Sequence, residues 1–235
     1  DETAGLARLT LPEIFELVLK NPARLNRIIR DATLQAALIP RFLAIELIAF
    51  TAFGVTLAIV LSAVGKWPQF MPVQEYLSTP GATLMRIAAV LPGEVWTQGM
   101  ALKLIAAYDI GLIAAVGICL PSLYFYGLLA GVRMSMLDVT IHAIKSQMAM
   151  AVALIGILPI YVAVGLGIKA FEFDSLVPLV IGAGLLLPFI SGLRGTHSLY
   201  TGFMELADTL PDERRCRREC FLRRLLVSWS VCWTA

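Results

Sequence analysis

Residues 42–64, FLAIELIAFTAFGVTLAIVLSAV, carry a single ionisable side chain, Glu46. About 20 mainly apolar residues coiled as a helix rise about 30 Å, the thickness of a bilayer's hydrocarbon core. Inside that core a backbone must satisfy its own polar groups, so a helix is the form such a run takes. Comparable runs follow at 104–132, 148–168 and 176–193, the last slightly short. A fifth begins near residue 225 and reaches Ala235. It rises about 16 Å, roughly half the core, and reads as an incomplete span, with Trp229 and Trp233 suited to an interfacial seat. Composition agrees: 58% of residues are hydrophobic and 15% charged, against about 45–50% and 25% in average soluble domains. The expected fold is an all-α polytopic transmembrane bundle of four full spans and a partial fifth. A cytoplasmic amphipathic segment over 1–40 precedes a transmembrane domain over 41–235.

The basic residues orient it. With the N-terminus in the cytoplasm, fifteen Lys and Arg fall in the cytoplasmic connections and four outside. Arg133 and Lys145 form the middle inner group, Lys66, Arg86, Lys103 and Lys169 the outer ones. This asymmetry follows the positive-inside rule at every connection and fits a bacterial cytoplasmic membrane. Six arginines crowd residues 212–224, DERRCRRECFLRR. They serve first as a topology signal. Helical spacing also puts Arg214, Arg217 and Arg218 on one strip, where anionic lipid headgroups or an acidic partner face would be contacted. A net charge of +2 gives no reason to expect a nucleic-acid partner.

Residues 10–30 predict two short helices. TLPE is a capping-box pattern with Pro in the first turn. Leu11, Ile14, Phe15, Val18 and Leu19 then share a face, and after Asn21-Pro22 so do Leu25, Ile28 and Ile29. Such a stripe bordered by arginines lies in the headgroup region or packs on the protein's own spans. In the outer loop, ATLMRIAAVL between two Pro-Gly pairs predicts a short helix, interfacial or re-entrant.

Pro121 inside the second span is expected to free a carbonyl and kink the helix. Gly127 and Gly131 form a GxxxG pair, a surface on which helices approach closely in lipid. The glycines of GLGIKAF and GAGLLL serve packing, not phosphate binding.

Intramembrane charges mark functional sites by default, which singles out Glu46 and Asp109. Arg41 or a basic residue of another chain is a candidate partner for Glu46, and Lys103 for Asp109. His142 and His197 read as surface residues of the cytoplasmic side. Cys216 and Cys220, four apart, lack the two further ligands a metal site needs. No Walker loop, HExxH, nucleophile elbow or dinucleotide fingerprint occurs. No catalytic residue, metal or cofactor is therefore expected.

The stretches LPSLYFYGLLAGVRMSM and MAMAVALIGILPIYVAVGLG resemble bacterial relatives of the YIP-type multi-pass family over about residues 100–195. The resemblance implies a cytoplasmic N-terminal segment, closely spaced spans and partners in membrane organisation. It assigns no residue a role. The expected function is that of a non-catalytic membrane subunit or scaffold binding other membrane-protein subunits. The alternative is a small transporter or channel component.

Overall fold

The computed structural model describes residues 10–70, 85–89, 92–129 and 135–207. Four of its helices are long and apolar enough to cross a membrane, so the chain is an all-α, multi-pass membrane protein. Two short helices, α1 (Leu11–Lys20) and α2 (Pro22–Ile29), lead into α3 (Ala32–Val64). An antiparallel pair follows, β1 (Lys66–Phe70) and β2 (Met85–Ala89), then a short helix α4 (Pro92–Thr97). The remaining spans are α5 (Met100–Leu129), α6 (Met136–Ala170) and α7 (Val177–Ala207), the last two joined by a 3-10 turn at Asp174–Leu176. α3, α6 and α7 extend well beyond their apolar runs, because helical backbone stays hydrogen-bonded at no penalty beyond the core. The partial fifth span lies outside the described residues, as do Gly131 and the arginine strip.

The outer loop corrects one expectation. Its apolar stretch is not a helix: Met85–Ala89 pairs with Lys66–Phe70, Lys66 opposite Ala89 and Phe70 opposite Met85. A neighbouring strand satisfies the same backbone groups.

The chain divides into two compact units. The first draws on residues 1–49, 110–154 and 188–235, the second on 50–109 and 155–187. In the first unit, Ile14, Leu25, Ile28 and Ile29 are buried with Leu34, Leu38, Phe42 and Ile45 of α3 and Ile141, Ile144, Met148 and Val152 of α6. The N-terminal pair thus packs on the protein's own spans. Its face is rotated from the sequence reading: Leu17 packs inward, whereas Leu11 and Leu19 are exposed. Thr10 caps α1, its N–H and hydroxyl both donating to the Glu13 carboxylate at 2.7 and 2.9 Å. Those bonds hold the Glu13 carboxyl below its ordinary range. Asn21 ends α1 and caps α2, its Oδ1 accepting from the Arg24 N–H at 3.1 Å.

The second unit is packed through glycine. A Cβ on Gly54 of α3 would lie 3.0 Å from the Ile105 Cα of α5, and one on Gly165 of α6 would lie 2.7 Å from Val60 Cγ1 of α3. A Cβ on Gly184 of α7 would meet the Tyr161 hydroxyl and, at 2.6 Å, Leu57 Cδ1. Small residues permit this backbone approach, on which helix association in lipid depends. The packing assigned to GLGIKAF and GAGLLL is thereby resolved. Gly165 and Gly184 make contacts, while a Cβ on Gly167 or Gly182 would meet nothing within 4 Å.

Candidate functional site: a basic cavity in the first unit

The ionisable residues singled out in the spans do not converge. Glu46 is fully buried, and neither carboxylate oxygen has a hydrogen-bond partner among the described residues. The expected pairing of Glu46 with Arg41 is therefore not formed. Asp109 accepts a 2.8 Å hydrogen bond from the Thr51 hydroxyl in place of an ion pair with Lys103. The neighbouring Tyr108 stacks edge-on against Phe53, ring centroids 5.1 Å apart. α5 remains helical through Pro121, and Ser122 donates to the Cys119 carbonyl at 2.7 Å. Gly127 is buried.

The polar groups that do converge come from a stretch read as loop. α6 begins at Met136, twelve residues before the hydropathy boundary, and carries Asp138, His142 and Lys145 on its first three turns. Ser135 caps it: its N–H and hydroxyl donate to Asp138 at 2.9 and 2.7 Å, and the Asp138 N–H returns a 3.1 Å bond to the Ser135 hydroxyl. That Ser-x-x-Asp spacing is a capping-box signal present in the sequence. Gln35 of α3 bridges two helix ends, donating to the Ile29 carbonyl at 2.9 Å and to Asp138 Oδ1 at 2.8 Å.

Lys145 and His142 are each 3% exposed, so neither is a surface residue. A hydropathy profile excludes a charge from the interior unless a partner is known. Here Asn26 of α2 supplies one: Lys145 Nζ donates to its Oδ1 at 2.6 Å. The His142 ring packs against Phe203, centroids 6.3 Å apart, and against Gly202 of α7. One turn on, the Ser146 hydroxyl donates to the Gly195 carbonyl at 2.6 Å. Glycine at 195 admits that contact, since a Cβ there would lie 2.9 Å from the Ser146 carbonyl oxygen.

Between α1–α2 and these turns of α6 and α7 lies a cavity of about 270 Å³. Val18, Leu19, Ala149 and Val152 supply apolar wall; Asn26, Lys145, Arg194, His197, Ser198 and Thr201 supply polar atoms. Arg194 and His197 are exposed at its mouth and Lys145 is buried. Among the described residues no group of three His, Cys, Asp or Glu side chains could hold a metal ion. Sequence reasoning missed this cavity because Asn26, Lys145 and Arg194 are brought together only by tertiary packing. Comparison with protein-family models, with curated proteins and with solved structures found no match, so no residue role comes from a relative and the YIP-type resemblance gains no support.

Proposed function

We propose that this protein is a non-catalytic membrane subunit or scaffold that binds the transmembrane helices of other membrane-protein subunits. The observation that carries the reading is α5. The apolar stretch of that span is 6% buried within the chain, against 56%, 39% and 44% for α3, α6 and α7. Its exposed face is not uniformly bulky, as a purely lipid-facing surface could be. Gly111, Ala114 and Gly117 are exposed on it, interspersed with the bulky Ile110, Ile118, Phe125 and Leu129. A Cβ on Gly111 or Gly117 would meet nothing within 4 Å. Among the described residues these glycines therefore serve no contact, whereas close helix approach in lipid uses such positions.

Gly117→Leu provides the test. It adds a side chain into open space and should leave the thermal stability of the isolated chain within about 0.5 kcal/mol. The complex in mild detergent should lose mass on a native gel. An unchanged complex mass refutes the reading. Ion flux through liposomes holding the pure protein would instead support the transporter or channel alternative.

The charge asymmetry supports a bacterial cytoplasmic membrane with the N-terminus inside. In a cysteine-free background on intact cells, Gln74→Cys should react with an impermeant reagent and Arg217→Cys should not. The reverse pattern would overturn the orientation.

A further inference from the structure

We propose that the basic cavity of the first unit binds the phosphate of an anionic phospholipid. Its polar lining is Lys145, Arg194, His197, Asn26, Ser198 and Thr201. A lysine, an arginine, an imidazole, an amide and two hydroxyls make a donor set, and no carboxylate is among the described lining residues. That arrangement selects an anion. Phosphate oxygens accept from ammonium, guanidinium and hydroxyl groups together.

The depth of the cavity argues for a lipid rather than a soluble anion. Lys145 precedes the apolar run 148–168 by three residues, and Arg194 follows the run 176–193 directly. The two spans run antiparallel here, Gly202 beside His142 and Gly195 beside Ser146. Both cations therefore lie where the apolar runs end, at the level of the headgroups. The wall beyond them, Ala149 and Val152, turns apolar in the direction of the core. A phosphate with acyl chains fits that gradient, and basic pockets between spans at this level are headgroup sites. The described lining is made of residues other than the arginines of 212–224, and the proposal does not depend on the scaffold reading.

The test uses the full chain purified in mild detergent and exposed to phosphatidylglycerol or phosphatidylcholine, with retained lipid read by native mass spectrometry. The chain should hold one phosphatidylglycerol under activation that strips phosphatidylcholine. Arg194→Gln with His197→Gln changes only exposed residues, so folding should survive. Retention should then fall by about tenfold, whereas Arg24→Gln, exposed and outside the cavity, should leave it unchanged. Lys145→Gln would deepen the loss and is interpreted only if its melting profile is retained. Equal retention of the two lipids, or retention indifferent to the double change, would overturn the proposal. So would saturation of the site by inorganic phosphate with no phosphatidylglycerol retained.

Discussion

Gly184→Ala lowers the stability of the detergent-purified protein by about 1–3 kcal/mol, and Gly184→Leu by more, because both overpack a closed helix contact. The new Cβ runs into the Tyr161 hydroxyl and lies 2.6 Å from Leu57 Cδ1. Neither neighbour can yield cheaply. Leu57 is fully buried, and Tyr161, 6% exposed, donates to the Val180 carbonyl of α7 at 3.3 Å. The matched control is Gly182→Ala on the same helix, where nothing lies within 4 Å. There stability should hold or rise slightly, since alanine is the better helix former. Thermal unfolding of both variants checks the pair; equal effects at 182 and 184 would contradict the packing of the second unit.

Asn26→Ala frees the N-terminal helices from the spans. It removes the 2.6 Å bond that the buried Lys145 ammonium makes to the Asn26 amide oxygen. Loss of a hydrogen bond to a charged group costs about 1.5–3 kcal/mol. The loss acts where α2 meets α6, so trypsin should cut faster after Arg24 and Arg27, both exposed on α2. Unchanged cleavage and an unchanged melting curve would show that the apolar contacts of Ile14, Leu25 and Ile29 hold the pair by themselves.

The spans were legible because an apolar run of that length has one backbone solution in a bilayer. The caps of α1 and α2 were equally legible, because Thr10, Glu13 and Asn21 act within three residues of themselves. What failed depended on distant partners. Lys145 was assigned to a loop because its charge is visible in sequence and its amide, 119 residues away, is not. The orientation of α1 failed for a similar reason: Leu11, Leu17 and Leu19 are alike in composition, and only the docked surface of α3 and α6 selects among them. Gly182 and Gly184 are indistinguishable in GAG, and the rotation of α7 decides which one meets Tyr161. The start of α6 was a different kind of miss. Ser135 and Asp138 announce it locally, whereas hydropathy marks only the apolar run from Met148.

The central claim is that the exposed, glycine-bearing face of α5 is covered by a helix of another subunit. A photo-crosslinking amino acid placed at Ala114, with a second at Ile160 of α6, exposed at 66%, tests it most directly in native membranes. Irradiation should join position 114 to a protein of defined mass and position 160 to lipid. Lipid adducts alone at position 114 would contradict the account.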